Sequence, residues 1–149
     1  MSADIPTQAD FQLLPRRKYD PDHCHTWEHF GGRTLDEAYV VFRENPLRYP
    51  EDLMWMVPKP FCFYLPVALR YLQSAEASGD SDIISCLASD IEFHFSCGHD
   101  IQAAFPCIQA ICDYVLSHYS EYDVIEEIYG NLRPRCEGLR KKTWEQGAV

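Results

Sequence analysis

Residues 101–119 read IQAAFPCIQAICDYVLSHY, and this stretch decides the fold class. Its apolar side chains recur at i, i+3, i+4 and i+7 over about five turns. These side chains are Ile101, Ala104, Phe105, Ile108, Ile111, Cys112, Val115, Leu116 and Tyr119. The pattern is typical of an amphipathic α-helix with one buried face. Asp100 is the predicted N-cap, and Pro106 can delay the start of the helix.

Helical signals continue upstream of this stretch. Thr34-Leu35-Asp36-Glu37 is a capping box, in which the Thr hydroxyl and the Glu carboxylate each accept from a backbone N–H of the other residue. Asn45-Pro46 is predicted to end that helix, and a short helix is predicted over 50–57. Pro66 either starts a helix or kinks one from inside, because it lacks the backbone N–H. We favour the first alternative, which predicts a turn at 59–64 and a helix from about 65 to 77. Asp80 then caps a predicted helix over 81–95.

Downstream, Ser120 is the predicted N-cap of a further helix. Its inward-facing residues are predicted to be Tyr122, Ile125, Ile128, Tyr129 and Leu132. The basic tail around Arg140-Lys141-Lys142 is predicted to form one more turn. No segment alternates apolar and polar residues long enough to predict a strand.

The sequence therefore predicts an all-α fold, a compact bundle of about five to six helices, with residues 34–149 as one helical domain. Residues 1–33 are punctuated by Pro6, Pro15, Pro21 and Gly31-Gly32, which predicts an irregular N-terminal arm packed on that domain. The arm's predicted anchors are Phe11, Leu13, Leu14 and Trp27.

Composition excludes several classes of protein. The chain has 149 residues, of which 46% are hydrophobic, so it can bury a sizeable core and is not disordered. No apolar run approaches the ~18 residues of a membrane span, and a net charge of −10 argues against nucleic acid as a partner. We expect a cytoplasmic protein, because the N-terminus lacks a signal-peptide pattern and the number of cysteines, seven, is odd. The cysteines include no C-x-x-C pair, which excludes a zinc ribbon or a thioredoxin-like site.

Acidic residues are concentrated in the middle of the sequence. Residues 34–130 contain 4 basic and 16 acidic side chains, and the densest group is Glu121, Asp123, Glu126 and Glu127. Such a surface can attract a basic protein through long-range electrostatics. The alternative interpretation is a solvated surface that serves solubility.

The segment His25-Thr26-Trp27-Glu28-His29 fits the H-x-x-E-H pattern of inverted zinc peptidases. Two histidines at i and i+4 can hold zinc while a glutamate acts as the base on the bound water, which would make Glu28 catalytic. His23 and Cys24 are further candidate ligands, and a second cluster, His94, Cys97 and His99, could meet the first in space. The alternative is a set of surface histidines, because Gly31-Gly32 leaves barely two turns for a helix.

A third candidate site is aromatic. Trp55, Phe61, Tyr64 and Tyr71 lie near prolines that interrupt the backbone, so they are the predicted place for a small-molecule pocket. Their alternative role is core packing. The sequence contains no G-x-x-x-x-G-K-[ST] and no G-x-G-x-x-G motif, so nucleotide binding lacks support.

The segments Thr34-Leu35-Asp36-Glu37-Ala38 and Phe61-Cys62-Phe63-Tyr64-Leu65-Pro66-Val67-Ala68 resemble small bacterial cytosolic proteins. In those proteins a capped helix precedes an aromatic-Tyr-Leu-Pro-Ala helix start, and an acidic helix follows. The resemblance covers roughly residues 30–95 and implies no activity for any residue. Some of those proteins are similar in size and acidity to immunity proteins of bacterial toxin systems.

We therefore expect a non-enzymatic, acidic protein-interaction module without a cofactor. The alternative is a small metal-dependent hydrolase that uses His25, Glu28 and His29, with zinc as the candidate metal.

Overall fold

The computed structural model describes residues 4–11, 21–46 and 48–147 and is 77% helical. Within those ranges it contains no β-strand. The α-helices are α1 (Pro21–Phe30), α2 (Leu35–Glu44), α3 (Tyr49–Trp55), α4 (Pro58–Leu72), α5 (Ser81–Ser96), α6 (Phe105–Ser117), α7 (Glu126–Tyr129) and α8 (Arg133–Gly147). Short 3₁₀ helices span Gln8–Phe11, Ala75–Ala77, Gln102–Ala104 and Tyr119–Tyr122. The predicted all-α bundle is confirmed.

Helices α4, α5 and α6 form the centre of the bundle. Helix α4 packs against α2, α3 and α6, while α8 covers α6 and α5. Helix α3 lies between α1 and α5, so it connects the N-terminal helix to the centre. The shared core contains side chains from every helix except the short α7. None of the described helices is long and apolar enough to cross a membrane.

The N-terminal segment is more helical than the sequence predicted. Phe11 and Trp27 do anchor it, with ring centroids 5.2 Å apart, and Phe11 is buried. Leu13 and Leu14 lie outside the described residues. The chain leaves α1 at Gly31, where a Cβ atom would lie 2.2 Å from the Trp27 ring, so only glycine fits there.

Helix α4 begins seven residues before its predicted start at 65. Pro58 and Pro60 lie in its first turn, where a backbone N–H has no intrahelical acceptor, so proline costs nothing there. Pro66 therefore lies inside the helix, where it removes one intrahelical hydrogen bond. The turn predicted at 59–64 is wrong.

The predicted helix after Ser120 is also wrong. Residues Tyr119–Tyr122 form a 3₁₀ turn, and Asp123 then adopts a left-handed conformation with φ 50°. Only Glu126–Tyr129 is α-helical before α8 begins at Arg133. The turn is fixed by two tyrosines: the Tyr122 hydroxyl donates to the Leu72 carbonyl, and the Tyr119 hydroxyl accepts from the Leu132 N–H.

The basic tail forms a fifteen-residue helix, α8, instead of the single turn predicted. Burial of Cys136, Leu139 and Thr143 accounts for its length, since most helical stability in proteins comes from tertiary packing. Three predicted boundaries are confirmed. Thr34 and Glu37 form the capping box, Asp80 accepts from the Ile83 N–H, and α2 ends before Asn45-Pro46.

Candidate functional site

Two exposed isoleucines lie among carboxylates between α6 and α8. Ile125 is 46% exposed and Ile128 is 68% exposed, although the sequence predicted that both face inward. Because the segment is not one continuous helix, its apolar residues do not share a buried face. We call the surface formed by Glu121, Asp123, Ile125, Glu126, Glu127 and Ile128 the acidic surface; all six residues are exposed.

The four carboxylates of the acidic surface form no ion pair with any residue that the structure describes. By contrast, Asp36 pairs with Arg70 at 2.6 Å and Asp113 pairs with Arg140 at 3.2 Å. The sequence explains this difference, because it has no lysine or arginine between Arg70 and Arg133. Negative charge on this surface is therefore not neutralised within the described structure.

A backbone hydrogen bond joins the acidic surface to the start of α5. The Gly79 N–H donates to the Glu121 carbonyl at 2.8 Å, and a Cβ atom on Gly79 would lie 3.7 Å from the Asp123 carboxylate. The exposed Asp82 lies three residues after Gly79, in the first turn of α5. Two segments far apart in sequence therefore contribute acidic side chains to neighbouring parts of the surface.

The two histidines of the predicted motif, His25 and His29, lie one turn apart on α1. The rings of His25 and His29 are nearly parallel, with centroids 6.0 Å apart and an interplanar angle of 15°. His25 Nδ1 lies 3.2 Å from a Glu28 carboxylate oxygen, and His29 Nδ1 lies 2.5 Å from Asp52 Oδ2 on α3. Tyr49 packs edge-on against the His29 ring. Each histidine thus has a carboxylate at the same ring nitrogen.

Asp52 is the member of this group that sequence reasoning missed. It is buried, and burial raises the pKa of its carboxyl group, while the hydrogen bond and charge of His29 oppose that rise. Glu28 is hydrogen-bonded to His25, and its predicted catalytic role stays a prediction. The side chains of His23 and Cys24 lie outside the described residues.

The second predicted cluster is a histidine pair inside the bundle. His94 is buried, and its Nε2 donates to the Leu53 carbonyl at 2.8 Å. Burial lowers the pKa of His94 to about 4, so the ring is neutral and its Nδ1 accepts from His99 Nδ1, 2.9 Å away. Cys97 is exposed.

As far as their side chains are described, the two histidine clusters do not form one metal centre. They reach α3 through different residues, Asp52 for His29 and Leu53 for His94. Among the described residues no three His, Cys, Asp or Glu side chains are arranged to hold a metal ion. A site built from ligands of both clusters therefore has no support in the described geometry.

Asp90 on α5 is a further buried carboxyl group. Burial raises its pKa well above the usual range, and its described partner is the Cys86 thiol at 3.8 Å. Helical spacing could have revealed it, because Asp90 follows the buried Ile83 and Leu87 by seven and three residues. That apolar stripe continues at Ile91.

The predicted aromatic pocket residues are mainly core residues. Phe61, Tyr64 and Tyr71 are buried, while Trp55 is half-buried and packs on Phe93. The Tyr64 hydroxyl contacts the carbonyls at the end of α1 and at Arg33, and the Tyr71 hydroxyl donates to Asp80. Core packing therefore explains the position of these rings, and a small-molecule pocket among them stays a prediction.

The fold and these sites define an all-α bundle with an unpaired acidic surface and a carboxylate-supported histidine pair. Comparison with protein families, with curated proteins and with solved structures found no match.

Proposed function

We propose that the protein is a non-enzymatic interaction module that binds a basic protein through the acidic surface. One observation carries the proposal: Ile125 and Ile128 are exposed on the same short segment as four exposed carboxylates that have no ion-pair partner in the described structure. The partner would present an apolar patch bordered by lysine or arginine side chains.

The two kinds of side chain have different roles in this proposal. Burying an isoleucine side chain contributes on the order of 1.5–3 kcal/mol, so Ile125 and Ile128 supply affinity. The carboxylates raise the association rate and select a basic partner. Close like charges repel one another in the free protein, and a basic partner would relieve that repulsion.

A surface that served only solubility would need the carboxylates but not the isoleucines. Exposed apolar side chains lower solubility, so their position among the acids favours binding. The proposal includes a cytoplasmic location. Each cysteine whose side chain is described is free, which supports a reducing compartment.

Site-specific photo-crosslinking in the native host tests the proposal. A photoreactive amino acid replaces Ile128 in one version of the full chain and Val40 in a matched version. Val40, on α2, is 46% exposed and lies outside the acidic surface. We expect one defined adduct from position 128, and we expect mass spectrometry to identify the captured partner as a basic protein. Position 40 should give no adduct with that partner.

The adduct from position 128 should disappear when Glu126→Gln/Glu127→Gln is added, because those carboxylates attract the partner. The proposal is wrong if positions 128 and 40 give the same adducts, or if the protein captured at position 128 is acidic. It is also wrong if the glutamine substitutions leave capture unchanged.

A further inference from the structure

We propose that His25 and His29 form a binding site for a divalent transition-metal cation, with their Nε2 atoms as the ligands. The site is on α1 and is independent of the acidic surface, so it goes beyond the proposed function. It depends on the ring geometry, the tautomers that the carboxylates select, and access from solvent.

The two histidines lie close enough to share one cation. Residues at i and i+4 lie on the same face of a helix, and the ring centroids are 6.0 Å apart. A metal–nitrogen bond lies in the plane of the imidazole ring, so rings that are nearly parallel do not direct both Nε2 atoms at one ion. The half-exposed His25 ring therefore turns toward His29 when the cation binds, while Asp52 holds the His29 ring in place.

The carboxylates select the tautomer that a metal requires. An ionised carboxylate only accepts hydrogen bonds, so the Nδ1 atoms facing Glu28 and Asp52 carry the protons. In each neutral ring Nε2 then presents a lone pair. A carboxylate that holds the non-ligating nitrogen is the usual support of a metal-binding histidine, because it fixes the ring and raises its basicity.

No described residue forms a hydrogen bond with His29 Nε2, and the side chain that carries this nitrogen is 16% exposed. A polar atom on a largely buried side chain is expected to have a partner, and a water molecule or an ion can supply it here. His25 is half-exposed, so a cation can reach the pair from solvent.

Imidazole nitrogen favours Zn²⁺, Ni²⁺ and Cu²⁺ over Mg²⁺ and Ca²⁺, which prefer oxygen. With two protein ligands, water completes the coordination, and we expect micromolar affinity. The proposal is limited to binding. Hydrolysis would need a base at the metal-bound water, and Glu28 is engaged with His25.

Calorimetric titration of the tag-free full chain with Ni²⁺ and with Zn²⁺ tests the site. We expect one equivalent to bind, His25→Gln to weaken binding at least tenfold, and Asp52→Asn to weaken it about 10- to 100-fold. The matched control is His118→Gln, since the described hydrogen bond and ring contact of the His118 side chain are both with Tyr114. It should bind like the wild type.

Folding does not obscure the test, because the half-exposed His25 can be replaced without loss of core contacts, which circular dichroism checks. A Co²⁺ titration separates imidazole from cysteine ligands, since thiolate ligands give an intense charge-transfer band. We expect no such band. Absence of binding, equal affinity of wild type and His25→Gln, or a thiolate band that persists in His25→Gln would each overturn the proposal.

Discussion

Asp52 on α3 accepts a hydrogen bond of 2.5 Å from His29 on α1, and both side chains are largely buried. The next residue, Leu53, accepts a hydrogen bond from the buried His94 on α5. Asp52 and Leu53, which are consecutive residues of the short helix α3, thus connect this helix to α1 and to α5. This arrangement predicts that α1 depends on Asp52 for its position.

We expect Asp52→Ala to lower the free energy of unfolding by about 1.5–3 kcal/mol, because it removes a buried hydrogen bond between two ionisable groups. Urea unfolding of the full chain measures the change. Glu28→Ala is the matched control: it removes the exposed contact with His25 and should change the free energy of unfolding by less than about 0.5 kcal/mol. Equal effects of the two substitutions would contradict a structural role for Asp52.

The buried His94 contributes a loss of stability in acid, whereas the raised pKa of the buried Asp90 carboxyl contributes in the opposite direction. The pKa of His94 is about 4 in the folded protein and 6.5 in the unfolded chain. Between these values the unfolded chain binds a proton that the folded protein does not, so His94 lowers stability as the pH falls through this window. From pH 7 to pH 5 we expect this residue to account for a loss of about 2 kcal/mol.

Unfolding measured at pH 7, 6 and 5 checks this expectation. His94→Gln should flatten the pH dependence, whatever its effect at pH 7, and His118→Gln should leave it unchanged. If wild type and His94→Gln lose the same free energy between pH 7 and pH 5, His94 is not the responsible group.

The helices predicted from strong local signals agree with the structure. The Thr34 capping box, the Asp80 N-cap and the Asn45-Pro46 stop depend on side chains within a few residues of the helix ends, so the sequence reveals them. The start of α4 was mispredicted because proline in the first turn and proline inside a helix are both possible, and packing decides between them.

The candidate sites depend on contacts between distant residues, which the sequence does not show. His29 and Asp52 are 23 residues apart, so the histidine motif was visible but its buried carboxylate was not. The acidic residues at 121–127 were also visible. The exposure of Ile125 and Ile128 was not, because it follows from the left-handed Asp123 and the tyrosine contacts that break the helix.

Electrostatic attraction predicts that the association rate with the partner depends on salt. The Debye length shrinks from about 30 Å at 0.01 M to about 8 Å at 0.15 M ionic strength, so the rate constant should fall steeply over this range. Glu126→Gln/Glu127→Gln should lower the association rate at low salt and weaken its salt dependence. Stopped-flow measurements with the partner identified by photo-crosslinking provide the association rates.

Glu44→Gln/Glu51→Gln is the charge-matched control, since it removes two exposed carboxylates that lie outside the acidic surface. If the association rate constant changes neither with salt nor with the Glu126/Glu127 substitutions, the acidic side chains do not attract the partner. If both double variants lower the association rate at low salt by the same factor, the effect comes from net charge alone.

The central claim is tested most directly by two dissociation constants for the partner identified by photo-crosslinking. One is measured with the Ile128→Ser variant of this protein and the other with the Val40→Ser variant. Both side chains are exposed, but only Ile128 belongs to the acidic surface. The account predicts at least tenfold weaker binding for Ile128→Ser and wild-type affinity for Val40→Ser, with circular dichroism unchanged in both. Wild-type affinity of Ile128→Ser would contradict the claim that this surface binds the partner.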